Sequence, residues 1–180
     1  CQGIVHLAAI ARGGQSEADP SLCRAVNVGA VARLLRVALA LPERPFVLLA
    51  SSREVYGEPA ILPVHETAAI APVNVYARSK AAAERLLQAA GCNGLPVQIV
   101  RYANVYGCID DHPDRVVPAF ARAAATGAEM HVRGAANAFD FTHVEDVASG
   151  TMRLVECLLA GERLPPVQLV SGRPTRLDEL

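Results

Sequence analysis

The sequence predicts an α/β fold in which a parallel β-sheet carries helices on both faces. Short apolar runs typical of buried strands recur at residues 3–9, 46–50 and 97–103. The segments between these runs are long enough for crossover connections and carry helix start and stop signals. Because no repeat, low-complexity tract or linker interrupts the 180 residues, we expect a single domain.

The first strand, residues 3–9, ends in small side chains. These either let a flat ligand approach the backbone or simply allow a helix to pack closely. A polar, glycine-bearing loop follows, and Asp19 then precedes a proline, as at the N-cap and first position of a helix. We expect this helix to extend to about residue 41, with Asn27 in its interior despite the low helix propensity of asparagine.

The second strand, residues 46–52, ends in the hydroxyls of Ser51 and Ser52. In open α/β sheets the carboxyl ends of the strands face the ligand crevice. A proline-rich loop leads to Asn74, a suitable N-cap for a helix that is rich in alanine through Ala90. The sequence therefore predicts a candidate site between this strand end and the following helix.

Later elements continue the alternation of strands and helices. After the strand at 97–103 we expect a short helix at 115–126 and a short strand at 129–133. A longer helix at 144–159 and a final strand at 167–171 follow, and residues 175–178 are a possible helix start.

Tyr76 and Lys80 are four residues apart in the predicted helix, so they share one face. An ammonium near a phenol favours the phenolate, which makes the phenol a better base near neutral pH. A serine hydroxyl at the end of the second strand would hold a substrate oxygen while Tyr76 takes or returns its proton. Removing a proton from an alcohol is useful when a hydride leaves the same carbon, which requires a cofactor such as a nicotinamide.

Composition narrows the classes of partner. With 52% hydrophobic residues and a net charge of −1, the chain gives no reason to expect nucleic acid or an anionic membrane as a partner. Five cysteines without a C-x-x-C pair indicate reduced thiols and a cytoplasmic location. Neither His65-Glu66 nor the run 110–112 has the ligand spacing of a helical zinc site, so we expect no metal.

Two motifs, Ser51-Ser52-Arg53-Glu54-Val55-Tyr56-Gly57 and Tyr76-Ala77-Arg78-Ser79-Lys80, carry a family resemblance. Together they resemble the extended short-chain dehydrogenases/reductases, specifically the nucleotide-sugar epimerases and dehydratases. A tyrosine and a lysine at this spacing also occur by chance on solvated helix faces, but the preceding serine motif makes the pair specific. The resemblance implies a Rossmann-like, doubly wound parallel sheet, present here in part, with part of a small substrate-binding region.

The same resemblance assigns roles to individual residues. It places catalysis on Ser52, Tyr76 and Lys80. It places cofactor binding on Leu7, Ala8, Asn27, Ala50, Tyr76, Lys80 and Tyr102. It places substrate binding on Ser52, Glu54, Asn104, Arg115, Val116, His131 and Arg133. Taken singly, the two arginines are more typical of surface charges, and Glu54 fits a loop carboxylate paired with Arg53 equally well.

Two departures from the family pattern bear on this assignment. The family fold opens with a strand and a glycine-rich turn that binds pyrophosphate, and no such turn precedes Gly3. We therefore expect residues 1–180 to be a piece of a longer protein, with 1–107 the later part of the cofactor sheet and 108–180 substrate-binding and closing segments. Phe139 also stands where many members carry a phosphate-binding arginine.

The resemblance implies an NAD-dependent nucleotide-sugar epimerase, in particular a UDP-sugar 4-epimerase, with NAD favoured over NADP. The full-length protein is expected to be a homodimer, and this piece alone is expected to be inactive. A dehydratase, decarboxylase or reductase of the same family is the alternative within the class. A non-catalytic dinucleotide-binding or structural protein is the alternative from another class.

Overall fold

The computed structural model describes residues 1–180, which divide into two units. Unit 1 contains Cys1–Tyr102 and Thr151–Gln168, and unit 2 contains Ala103–Gly150 and Leu169–Leu180. The expected division of one partial domain near residue 107 remains a prediction.

A four-stranded sheet follows the order β1-β2-β3-β6. Its strands are β1 (Gly3–His6), β2 (Phe46–Ser52), β3 (Val97–Tyr102) and β6 (Val167–Leu169). β2 runs parallel to both β1 and β3, with Ser52 in register with Tyr102. The predicted α/β fold with a parallel sheet is therefore confirmed, although β1 and β6 are shorter than expected.

The helix expected from Asp19 to about residue 41 is confirmed as one unbroken helical run over residues 20–40. It consists of α2 (Pro20–Arg24), one turn of π-helix at Ala25–Gly29 (the π-turn) and α3 (Ala30–Ala40). A short helix that was not expected, α1 (Gly13–Ala18), occupies the supposed loop before it. The predicted N-cap is confirmed, because Asp19 Oδ1 accepts a hydrogen bond from the backbone N–H of Leu22 at 2.9 Å.

The longest helix, α4 (Val75–Cys92), begins at the predicted N-cap, where Asn74 Oδ1 accepts a hydrogen bond from Ala77 N at 2.7 Å. α3 and α4 pack on one face of the sheet, and fully burying a leucine there contributes about 1.5–3 kcal/mol. The buried core on that face comprises Val31, Leu35, Ala38, Val47, Leu49, Ala83, Leu87, Ala90, Leu95 and Ile99. Leu48 and Val100, which alternate with these strand residues, are also fully buried, so both sheet faces are covered.

The later segments form α5 (Val116–Thr126), α6 (Val144–Leu159) and a three-stranded sheet. That sheet has the order β4-β5-β7, from β4 (Asn104–Tyr106), β5 (Ala138–His143) and β7 (Pro174–Arg176). β4 and β5 are parallel, and β5 and β7 are antiparallel. The helices at 115–126 and 144–159 are confirmed to within one residue.

Two sequence predictions about these segments are wrong. Residues 129–133 form no strand, although Met130 and Val132 alternate with polar residues. Both apolar side chains are substantially exposed, 42% and 38%, and no strand pairs with the segment. The helix start proposed at 175–178 is instead the end of β7 and a turn. None of the helices is both long and apolar enough to cross a lipid bilayer.

Candidate active site

Ser52 lies where β2 ends and is 8% exposed. Its side chain caps a 3₁₀ turn, Arg53–Tyr56, with Oγ accepting a hydrogen bond from the backbone N–H of Glu54 at 3.2 Å. Gly57 closes this turn with a φ of 66°, and a Cβ at that position would stand 2.1 Å from the carbonyl oxygen of Ala71. The glycine of the serine motif is therefore required by a close backbone contact.

Tyr76 and Lys80 lie on the buried face of α4, with exposures of 7% and 4%. Lys80 Nζ donates a hydrogen bond to the backbone carbonyl of Ala50, two residues before Ser52, at 2.8 Å. The same Nζ is 5.9 Å from the centroid of the Tyr76 ring. The structure thus brings the ammonium, the phenol ring and the carboxyl end of β2 into one region of unit 1.

Burial lowers the pKa of Lys80 to about 8, while negative charge on Cys23 (as a thiolate) and on Glu84 acts in the opposite direction. Lys80 is the only lysine in the sequence, since one lysine and sixteen arginines make up the 17 basic residues. Arginine remains charged under all ordinary conditions, whereas a buried lysine changes its pKa readily. The buried cation beside Tyr76 is therefore the one type of basic side chain whose pKa burial can bring close to neutral pH.

Asn27 occupies the π-turn and is 2% exposed. Its Oδ1 accepts a hydrogen bond from Ile10 N at 2.8 Å, and its Nδ2 donates to Ile10 O at 3.0 Å. Nδ2 also donates to Ser79 Oγ at 2.9 Å, and Ser79 Oγ donates to the Tyr76 carbonyl at 2.7 Å. Asn27 therefore links the segment after β1 to the turn of α4 that contains Tyr76, and π-turns are frequent at functional sites.

Glu54, a predicted substrate-binding residue, has a structural partner. Its Oε2 accepts a hydrogen bond from Asn74 Nδ2 at 2.8 Å, while Asn74 Oδ1 caps α4 through Ala77 N. The side chain of Glu54 therefore connects the turn after Ser52 to the N-terminus of the helix that carries Tyr76. The assignment of Glu54 to substrate binding remains a prediction.

A buried polar network next to the site was not predicted. Arg101 on β3 forms a two-pronged ion pair with Glu84 on α4, with Nε–Oε1 and Nη2–Oε2 distances of 3.0 and 2.7 Å. Ser51 Oγ donates a hydrogen bond to the same carboxylate, and Arg101 Nη1 donates to Tyr56 Oη at 2.6 Å. The available sequence signals were a glutamate eight residues after Tyr76 and an arginine inside an apolar strand.

The remaining predicted cofactor positions lie at strand ends. Leu7 follows β1 with 59% of its surface exposed, and Ala8 is also exposed. His6 Nε2 is buried without a hydrogen-bond partner, and burial, together with the charge of the nearby lysine, lowers the pKa of His6. Tyr102, at the end of β3, shares a 2.9 Å hydrogen bond with Thr151, and burial raises the pKa of Tyr102.

Unit 2 contains a separate cavity of about 220 Å³. Three of the predicted substrate-binding residues, Asn104, Arg115 and Val116, line it together with Asp111, Asp114, Tyr106 and two phenylalanines. Phe139 and Phe141 stand edge to face, 6.2 Å apart between ring centroids. Arg115 Nη1 lies 3.2 Å from Asp111 Oδ1, so this cation is already paired with a carboxylate.

The other two predicted substrate residues, His131 and Arg133, do not line this cavity. Both are exposed, and His131 Nε2 lies 3.9 Å from the carboxylate of Glu129. Their assignment to substrate remains a prediction. No cluster of three or more histidine, cysteine, aspartate or glutamate side chains has an arrangement that would hold a metal ion.

The sequence matches the model of the NAD dependent epimerase/dehydratase family over residues 1–164. A UDP-glucose 4-epimerase of Rhizobium meliloti (strain 1021) is 31% identical over 99% of the chain and 60% of its own length. The curated UDP-glucose 4-epimerases that match most of this chain are longer, and the chain spans 54–60% of their length.

Two solved structures share the fold over 99% of the chain. A UDP-glucose 4-epimerase from Brucella ovis, in complex with NAD, superposes with a TM-score of 0.89, 30% identity and 60% coverage of its own chain. A dTDP-glucose 4,6-dehydratase from Streptomyces venezuelae, with NAD bound, superposes with a TM-score of 0.85, 27% identity and 54% coverage of its own chain.

Proposed function

Because the chain belongs to the NAD dependent epimerase/dehydratase family, we propose that it is part of an NAD-dependent nucleotide-sugar 4-epimerase that acts on a UDP-sugar. The observation that carries the proposal is the buried Lys80 ammonium, bonded to the end of β2 and facing the Tyr76 ring. The names of the relatives favour UDP-sugars and 4-epimerisation.

The residues at the ends of β1 and β2 fit a nicotinamide and its ribose. Leu7 and Ala8 offer exposed, apolar chain after β1, and Lys80 supplies an ammonium donor beside Ala50. A nicotinamide held there would accept a hydride from the sugar carbon and return it. We propose NAD in this role, with NADP as the alternative.

The chain's own side chains would handle the proton of the sugar hydroxyl. Tyr76 takes that proton as the carbon–hydrogen bond breaks and returns it when the alcohol re-forms. Ser52 donates a hydrogen bond to the same oxygen and so holds it at the end of β2. Lys80 stabilises the phenolate form of Tyr76 by its charge. The keto-sugar turns over between the two steps, so one set of residues serves both.

A 4,6-dehydratase of the same family is the competing function. Water loss requires a proton donor for the leaving hydroxyl, and 4,6-dehydratases of this family typically carry an aspartate for this purpose at the position of Arg53. Arg53 is a permanent cation and cannot supply the proton. Glu54, the neighbouring carboxylate, accepts a hydrogen bond from Asn74 and holds the helix cap. Both observations favour the epimerase, which needs no second acid.

The cavity of unit 2 supports a role in holding the substrate. Two aromatic rings and apolar Val116 suit a flat base or a sugar face, whereas two aspartates oppose the charge of Arg115. Phe139 stands on its wall where many family members carry a phosphate-binding arginine. The cavity would therefore offer few cations to the diphosphate of the substrate. We include Asn104, Arg115 and Val116 in the proposed substrate site on this basis.

A product assay tests the proposal. The full-length protein is incubated with UDP-glucose, UDP-galactose and NAD, and the sugar products are followed by proton NMR. We expect interconversion of the two 4-epimers in the wild type and none in Tyr76→Phe. Accumulation of a 4-keto-6-deoxy sugar would establish the dehydratase instead. Binding of NAD without conversion of either sugar would contradict 4-epimerisation of UDP-glucose and UDP-galactose.

A further inference from the structure

Glu84 extends the active face of α4 by one further turn. Tyr76, Lys80 and Glu84 are spaced four residues apart, so they lie along one side of the helix. Their exposures of 7%, 4% and 3% show that all three face the interior of unit 1. The helix therefore presents three ionisable groups in a row to the carboxyl ends of the strands.

The carboxylate of Glu84 joins this helix to two adjacent strands at matching positions. Ser51 on β2 and Arg101 on β3 are paired in register, and both bond to Glu84. The next pair in the register contains Ser52, the proposed catalytic serine. One side chain thus connects α4 to the sheet one residue away from the reacting hydroxyl.

The guanidinium of Arg101 donates hydrogen bonds from all three of its nitrogen atoms. Arg101 donates from Nε and Nη2 to Glu84, and from Nη1 to Tyr56 Oη and the Glu66 carbonyl. Its guanidinium also stacks 4.9 Å from the Tyr56 ring centroid. Replacing a buried ion pair with apolar residues often leaves stability unchanged. Stability alone therefore does not explain why the Glu84–Arg101 pair is present.

We propose that Glu84 is a positioning residue for Tyr76 and Lys80, fixing the rotation and height of α4 against the end of β2 through Ser51 and Arg101. The inference rests on the proposed function of the same site. Because the bonds of Glu84 are short and directional, a small sliding of α4 would break them. The position of Tyr76 relative to Ser52 is thereby restricted to one arrangement.

The charge of Glu84 also reaches Lys80, one turn away. The carboxylate favours the charged ammonium and raises the pKa of Lys80 against the effect of burial. Removing that charge should therefore lower the pH at which Lys80 loses its proton. This gives a readout that does not depend on turnover.

The main test compares two double variants of the full-length protein. Glu84→Leu with Arg101→Met removes the buried pair without leaving a lone charge. Asp178→Leu with Arg176→Met removes an exposed two-pronged pair in unit 2 and serves as the matched control. Thermal melting and circular dichroism confirm that both are folded before kinetics are measured.

We expect kcat for epimerisation to fall at least about tenfold in the first variant, because a displacement of about 1 Å at a reacting group costs up to about 10²-fold. The KM for the sugar should stay within about threefold, since binding groups are untouched. The control variant should match the wild type in both constants. A folded first variant with wild-type kcat would overturn the proposal.

Two further variants keep the proposal testable if the double variant does not fold or the protein proves not to be an epimerase. Ser51→Ala removes one bond to Glu84 and leaves the ion pair intact, and it should lower kcat by a smaller factor. Glu84→Gln should lower the titration midpoint of Lys80, followed by NMR of ¹³C-methylated protein without substrate. If both the midpoint and the chemical shift of Lys80 are unchanged, α4 keeps its place without the Glu84 carboxylate, and the proposal is overturned whatever the enzyme's reaction.

Discussion

Replacing Lys80 with methionine should stabilise the fold while removing activity. Methionine keeps a long unbranched chain but carries no charge, so it avoids the burial of an ammonium that is only 4% exposed. The Lys80 ammonium would then be retained for its function although it destabilises the fold. The effect can be calculated from the pKa of Lys80, which falls from 10.5 to about 8 on folding.

The direction in which wild-type stability changes with pH follows from the number of protons that Lys80 binds in the folded and unfolded states. Between pH 8 and 10.5 the unfolded chain binds more protons at this lysine than the folded chain, so the stability of the wild type rises with pH in that window. At pH 7 the lowered pKa of Lys80 destabilises the fold by about 3 kcal/mol, and at pH 9.5, where the folded lysine is mostly neutral, by about 1 kcal/mol. The lost hydrogen bond to Ala50 offsets about 1 kcal/mol of the gain at either pH.

Urea unfolding of the full-length wild type and of Lys80→Met, at pH 7 and pH 9.5, measures this difference. The variant should be more stable by about 2 kcal/mol at pH 7, and this advantage should shrink by about 2 kcal/mol at pH 9.5. Lys80→Arg, which keeps a charge that does not titrate, should show no gain in stability at pH 7. A stability difference between Lys80→Met and wild type that does not change with pH would refute the reasoning.

Two other substitutions test the chemistry and the turn. Tyr76→Phe should lower turnover by about 10²–10⁴-fold, because it removes the proton-transfer group and keeps the ring, and unchanged kinetics would show that Tyr76 is not the base. Gly57→Ala should destabilise the fold by more than about 2 kcal/mol in urea unfolding, because it combines a positive φ with the close Ala71 carbonyl. Gly127→Ala is its control, since Gly127 has a φ of 68° but no neighbouring atom within 4 Å. Equal losses in the two alanine variants would show that the backbone contact is unimportant.

Local patterns in the sequence were sufficient to predict the parts of the fold that depend on nearby residues. The apolar run of β2 and the Asn74 cap of α4 are confirmed because strand burial and helix capping are set within a few residues. The alternation at 129–133 has the period of a strand, but a strand also needs a pairing partner, and none is present. The period alone therefore gave a wrong prediction there.

Contacts between distant parts of the chain could not be predicted in the same way. The π-turn at Asn27 accompanies bonds to Ile10 and to Ser79, which is 52 residues away. The Glu84–Arg101 pair likewise joins a helix to a strand, and either residue alone would fit an exposed surface. Family motifs indicated Tyr76 and Lys80, but only the folded structure shows that Glu84, the next residue on that helix face, is paired with Arg101.

The single lysine gives the chain a natural spectroscopic label. Within these 180 residues Lys80 carries the only side-chain primary amine. Reductive methylation with isotope-enriched formaldehyde would therefore give this part of the protein a single side-chain resonance, at the proposed catalytic centre, without any engineered substitution. Its chemical shift would record cofactor binding and proton loss directly, and its slow labelling in the folded state would report how often α4 moves away from the sheet.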